Sequence, residues 1–182
     1  MRALRGGLLA RMSAPARPSL LPLLGVVLPL YALDQASKWW IVREFFFLEQ
    51  RTVIPDFFEL CYWKNTAAAF SLGFFTSPTA NNRFFLVLSA VVAIALVIFY
   101  RRNAFNDAPS RWGAAFLLAG ILGNLTDRLV HGHVVDFLLF DLHVPFVHPW
   151  PAFNVADSCI FIAVGLFIIA SFRADAAGKV PA

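Results

Sequence analysis

Charged side chains are scarce in this chain: Asp, Glu, Lys and Arg make up 14% of its 182 residues, while 59% are hydrophobic. That apolar fraction lies well above the roughly 45–50% of soluble domains and indicates a membrane protein instead. Cysteine is nearly absent; Cys61 and Cys159 form neither a CxxC pair nor a disulfide framework and read as packing residues. Several hydrolase signatures are missing as well. There is no HExxH for zinc, no GxSxG nucleophile elbow and no glycine-rich phosphate loop, which disfavours hydrolysis by those routes. The net charge of +4 comes from 15 basic and 11 acidic residues scattered around apolar segments, not clustered on one face, so no nucleic-acid partner is expected. No repeat or low-complexity tract is evident.

What is present is a series of apolar runs. Each span needs about 20 residues, so the chain has room for four spans with short loops, read as Leu20–Val42, Phe84–Tyr100, Trp112–Val130 and Asn154–Phe172. This predicts an α-helical polytopic membrane protein with a single domain over 1–182, flanked by tails at 1–19 and 173–182. A secretory signal peptide would also open with basic residues and then leucines, but no small-x-small cleavage site follows, so Leu20–Val42 is read as a span that stays attached. Between the first two spans, Thr52–Trp63 is rich in β-branched and aromatic residues and predicts one or two short strands around the Pro55-Asp56 turn, lying on the membrane surface. The loop from His131 to Phe153 holds no Lys or Arg, whereas Arg101, Arg102, Arg111, Arg173 and Lys179 flank the other ends; both termini are therefore expected in the cytoplasm.

Gly120 to Phe137 stands out, because Asn124, Asp127, Arg128, His131, His133 and Asp136 follow one another at the end of an apolar run, where polar side chains are costly. On a helix Gly120, Asn124, Asp127, Arg128 and His131 share a face with small residues that let another helix approach. Gly132 is expected to end that helix, and the β-branched Val134 and Val135 to continue it as extended chain, leaving Asp136 at the lipid edge where it meets water. Asp34 and Lys38, four apart, can pair on the first span. His131, His133, His143 and His148 could join Asp136 or Asp141 around a metal, but HxH in a loop is a weak signal and no metal or other cofactor is expected.

Paired carboxylates are the stronger case: two acids in a partly dry site cannot both ionise easily, so one keeps a proton while the other acts as a base on water. Asp34, Asp127, Asp136, Asp141 and Asp157 are the candidates. Asp127 and Asp136 would face opposite ways on a continued helix, and Asp127 is expected to support its neighbour Arg128. Asp136 and Asp157 come from adjacent segments at one membrane face, with Asn154 three residues before Asp157, yet spacing alone leaves each acid open to a purely structural role. A small proton- or ion-coupled transporter using these carboxylates is the alternative, and a non-catalytic scaffold a third.

Five stretches carry a resemblance. Asp34-Gln35-Ala36-Ser37-Lys38, Asn65-Thr66-Ala67-Ala68-Ala69-Phe70, Gly123-Asn124-Leu125-Thr126-Asp127-Arg128, His133-Val134-Val135-Asp136-Phe137 and Phe153-Asn154-Val155-Ala156-Asp157 match, in order, the motifs of bacterial lipoprotein signal peptidase, or signal peptidase II. The resemblance implies four transmembrane helices with a small periplasmic β-structure, and a monomeric aspartic endopeptidase of the inner membrane with its site near the periplasmic face. Its substrate would be a prolipoprotein, cut just before a diacylglyceryl-modified cysteine. Asp136 and Asp157 resemble the catalytic pair; Asn65, Asn124, Arg128 and Asn154 resemble the polar residues around it, and Asp34 and Lys38 the first-helix motif. Asp127 falls within the third motif. Ala67 and Ala119 stand where the family usually has glycine.

Overall fold

The computed structural model describes residues 18–66, 77–144 and 150–178, with side chains as far as 173. Four helices and three strands follow in the order α1 (Leu21–Glu44), β1 (Gln50–Ile54), β2 (Phe58–Asn65), α2 (Pro78–Arg101), α3 (Ala108–His131), β3 (Val134–Phe140) and α4 (Val155–Gly178). Each helix has 24 residues, about 36 Å at 1.5 Å per residue, more than the roughly 30 Å of a hydrocarbon core. α2, α3 and α4 are also apolar enough to cross a membrane. α1 has the length but carries Asp34, Lys38, Arg43 and Glu44.

Large apolar side chains cover the outside, and a cluster of charged and amide side chains is buried beside the apolar core. Leu28, Leu33, Val87, Val91, Ile94, Phe161 and Ile168 are exposed, while Asp34, Lys38, Asn124, Asp127, Arg128, Asp136 and Asn154 are buried. That arrangement suits a lipid surround, where outward side chains need no water and inward polar groups satisfy one another. α3 is the central helix, with 61% of its apolar window buried against 22% for α2 and for α4. Its small residues permit this: Ala114, Ala115 and Ala119 are buried in the apolar core with Leu23, Val27 and Leu96, and a methyl on Gly120 would strike the Ala156 carbonyl oxygen and lie 2.7 Å from Ile160. Ala119 is therefore accommodated within the core; Ala67 lies outside the described residues.

α2 and α3 begin earlier than their apolar runs. Ser77 accepts from the Ala80 N–H at 3.4 Å and Asp107 from the Ser110 N–H at 2.7 Å, each followed by a proline in the first turn, so α2 starts at Pro78 and α3 at Ala108. Gly132 ends α3 in the left-handed conformation, φ 73°. It allows the chain to reverse into β3.

The three strands form one antiparallel sheet, β1-β2-β3. β1 and β2 are the hairpin expected around Pro55-Asp56, with Asp56 at φ 57°. β3 is an addition to that expectation: Val134 and Val135 do not merely extend the chain but pair with Asn65 and Lys64 of β2. The same register sets Asp136 opposite Trp63. Leu138 then bridges Phe153, which carries the chain back to the start of α4.

Candidate active site

Asp136 and Asp157 reach one cavity from different elements, β3 and the first turn of α4. The cavity has a volume of about 630 Å³ and is also lined by Asn65, Asn124, Arg128 and Phe85. Asp136 is only 3% exposed, its carboxylate oxygens taken up by Asn154 and Asn65, and it still borders the cavity. Asp157 is half-buried.

A reciprocal cap fixes Asp157. Asn154 accepts from the Asp157 N–H at 2.9 Å through its Oδ1, and the Asp157 carboxylate accepts from the Asn154 N–H at 3.2 Å. This is a capping box with aspartate in the third helical position. The same asparagine spans to the other acid, its Nδ2 donating to Asp136 Oδ1 at 2.8 Å. One residue thus touches both carboxylates, Asp136 through its side chain and Asp157 through its backbone N–H. Asn65 Nδ2 donates to the second oxygen of Asp136 at 2.9 Å, and Asn124 Nδ2 to Asp157 Oδ1 at 2.8 Å.

Burial and, next, the neighbouring Asp157 charge push the Asp136 carboxyl up to about 7, against the opposing effect of its amide hydrogen bonds from Asn65 and Asn154. Asp136 can therefore hold a proton close to neutral pH, as the acid member of a carboxylate pair must. Beside it, burial raises the Cys61 thiol to about 12, with Asp136 and Glu59 adding to the effect, so this cysteine stays a packing residue.

Behind the cavity lies a second charged cluster. Lys38 Nζ is 2.9 Å from Asp34 and 3.0 Å from Asp127, and donates to Asn124 Oδ1 at 3.0 Å. The expected Asp34–Lys38 pair is therefore present. Asp127 does not bond to Arg128 directly, because successive residues on a helix point about 100° apart; it turns toward Lys38, Gln35 and the Val135 N–H, and its charge reaches Arg128 only at longer range. Arg128 faces the cavity instead, with its Nη1 donating to the Asn124 carbonyl at 3.3 Å and its Cζ 5.6 Å from the Phe85 ring centroid. His131, three residues after Arg128, is the last residue of α3. It is exposed beyond the last buried turn and packs against the ring of His133.

Gln35, which stands in the first motif with no expected role, belongs to this cluster too. Its Nε2 reaches Asp34 at 3.1 Å, Asp127 at 3.1 Å and the Gly123 carbonyl at 3.2 Å. A polar side chain in an apolar span is itself the signal that would have found it. Two backbone groups escape such a search: the Ala156 N–H, which donates to Asp34 Oδ1 at 2.8 Å, and the Val135 N–H, which donates to Asp127 Oδ2 at 3.0 Å. His148 and Ala67 to Phe70 lie outside the described residues.

An apolar helical bundle holding two hydrogen-bonded, partly dry carboxylates over one cavity has the equipment of a membrane aspartic peptidase. A model of the signal peptidase (SPase) II family matches residues 26–173. The chain is 39% identical over 155 residues to the lipoprotein signal peptidase of Janthinobacterium sp. (strain Marseille), covering 85% of this chain and 90% of that one. It is 45% identical over 141 residues to the lipoprotein signal peptidase of Neisseria meningitidis serogroup C (strain 053442), covering 77% and 81%. A solved structure described as a bacterial membrane enzyme, determined by the in meso method, superposes with a TM-score of 0.78 at 28% identity, covering 92% of this chain and 96% of the other. The chain belongs to the signal peptidase II family. It is an aspartic protease of a bacterial membrane that removes signal peptides from prolipoproteins. The transporter alternative finds no support.

Proposed function

We propose that Asp136 and Asp157 are the catalytic pair and that they cut the prolipoprotein immediately before a diacylglyceryl-modified cysteine. The observation that carries this reading is Asn154, which donates to the Asp136 carboxylate from its side chain and to the Asp157 carboxylate from its backbone N–H, beside one cavity that both acids line. In the reactive form the pair holds one proton, and the roles assigned here are Asp136 as the acid and Asp157 as the base. Asp157 takes a proton from a water, whose oxygen attacks the scissile carbonyl carbon, while Asp136 passes its proton to the carbonyl oxygen, giving a neutral gem-diol. In the second half Asp157 returns its proton to the cysteine nitrogen as the C–N bond breaks. Asp136 recovers a proton from a gem-diol hydroxyl as the new carboxyl forms, and both acids are reset.

The remaining polar residues have supporting parts. Arg128, Asn65 and Asn124 line the cavity and offer donors to a peptide that must be unwound at membrane depth, where unsatisfied backbone groups are costly. Asp34, Lys38 and Asp127 hold the site from behind. The apolar side of the cavity, along Ile160, Phe161 and Val164 of α4, favours a substrate that brings its own lipid. Each buried methylene contributes about 0.8 kcal/mol.

The reading extends to the whole chain: one domain of four spans, α1 included, working as a monomer in the inner membrane with both termini in the cytoplasm and the carboxylates near the periplasmic face. The alternation of basic ends supports that orientation. The test is a cleavage time course in detergent on matched precursors with and without the diacylglyceryl group, with products identified by mass. The lipidated precursor is expected to be cut far faster, with the modified cysteine as the new N-terminus. Equal rates, or a cut elsewhere, would overturn the substrate assignment.

A further inference from the structure

Lys38, Asp34, Asp127 and Gln35 do not line the cavity, so their buried charges need a reason other than contact with substrate. The ammonium has three protons, and three acceptors surround it: Asp34 Oδ2, Asp127 Oδ2 and Asn124 Oδ1. Each acceptor leads to one of the paired acids. Asp34 uses its other oxygen to hold the Ala156 N–H, one residue before Asp157. Asp127 Oδ2 holds the Val135 N–H, one residue before Asp136. Asn124, whose oxygen must face the donor-only ammonium, is left with its NH₂ turned to Asp157 Oδ1 at 2.8 Å. Reversed, that amide would set its oxygen against the Asp157 carboxylate and its NH₂ against both Lys38 and the Asn154 amide, which donates to Asn124 Oδ1 at 3.2 Å.

We propose that Lys38 is a positioning residue, the hub of a three-armed clamp that sets the separation of Asp136 and Asp157, and that Gln35 closes the clamp by joining its two carboxylate arms. Gln35 Nε2 bonds to Asp34 and to Asp127 and so keeps either carboxylate from swinging out with its backbone partner. Packing enforces the same geometry. A methyl on Gly123 would lie 2.5 Å from Asp34 Oδ2 and 2.9 Å from the Ala156 Cβ, so the arm between α1 and α4 passes where only a glycine leaves space. The inference rests on the catalytic pair proposed above and concerns how that pair is held.

The test uses the full-length enzyme with diacylglyceryl precursor and the variants Lys38→Met, Gln35→Met, both together, and Asp136→Asn. Gln35→Met is the informative one, because Lys38→Met strands two buried carboxylates and can fail to fold. The charged groups around the pair are Asp34 and Lys38 from α1 and Asp127 and Arg128 from α3, with the uncharged Cys61 thiol from β2. Gln35→Met alters none of them. A looser clamp lets the acids move apart and weakens their mutual repulsion, so their two apparent titrations converge. The expected result for Gln35→Met is a kcat about tenfold lower with KM unchanged, and a narrower pH profile with both limbs moved inward. Where Lys38→Met folds, kcat should fall about a hundredfold and the double variant should be no slower. A Gln35→Met enzyme with lower thermal stability but an unmoved pH profile, or losses that multiply in the double variant, would overturn the clamp. Asp136→Asn separates the two readings: its retained activity would overturn the catalytic pair and the clamp with it, whereas its loss beside an unmoved Gln35→Met profile overturns the clamp alone.

Discussion

Asp136 accepts two amide hydrogen bonds, from Asn154 and Asn65, in a place where burial makes its charge costly, and burial wins, lifting the carboxyl to about 7. A carboxyl that ionises at about 3.8 when unfolded and at about 7 when folded adds stability at low pH that is lost as pH rises between those values. Wild-type thermal stability in detergent should therefore fall, relative to Asp136→Asn, from about pH 4 to about pH 7, with no further divergence above. A constant difference across that range would count against the shifted carboxyl. Turnover should decline as pH rises through the same value, since the shared proton is lost. Much of this site was legible in the sequence. Asp34, Lys38, Asn124, Asp127 and Arg128 are conspicuous because polar side chains inside apolar runs are costly, and that cost says they are used. It does not say by whom. The direct partners of Asp127 were hidden because adjacency in sequence is not adjacency on a helix, and the backbone N–H groups of Val135 and Ala156 have no side-chain signal at all.

At the scale of elements, α3 and α4 approach closely at glycine. Gly120→Ala would press a methyl on the Ala156 carbonyl and Ile160, and overpacking of this kind costs about 1–3 kcal/mol. Gly165, in α4, has nothing within 4 Å of an added Cβ among the described residues, so Gly165→Ala should be neutral or stabilise by up to about 1 kcal/mol. Thermal unfolding of the two variants in the same detergent decides it; similar midpoints would show that the helices do not rely on that approach. The four helices and the β1–β2 hairpin could be read from apolar run length and from the Pro55-Asp56 turn. The first turn of α2 could not, because Thr79, Asn81, Asn82 and Arg83 are polar, and only the Ser77 cap with Pro78 marks the start. β3 stayed hidden as a strand because its partner lies some seventy residues earlier, with Val134 opposite Asn65. Local pattern suggests extended chain there but not its pairing.

At the scale of the molecule, exposed apolar side chains surround a core that also buries a polar cluster, and the orientation proposed above rests on the distribution of Arg and Lys. Orientation predicts that a cysteine at Ala104, exposed in the α2–α3 loop, is shielded from an impermeant thiol reagent in intact cells. One at Leu142, exposed after β3, should react. Cys61 and Cys159 are replaced beforehand, although both are buried. Reversed labelling would put the carboxylates on the cytoplasmic side. The central claim is that one acid from β3 and one from the start of α4 perform a single cleavage. Its most direct test is the turnover of diacylglyceryl precursor by purified Asp136→Asn, Asp157→Asn and the double variant, each shown to fold by thermal unfolding. The account predicts that either single change lowers kcat by about a thousandfold or more and that the double is no worse than the slower single, because both acids serve one step. Near-normal turnover in either single variant would contradict it.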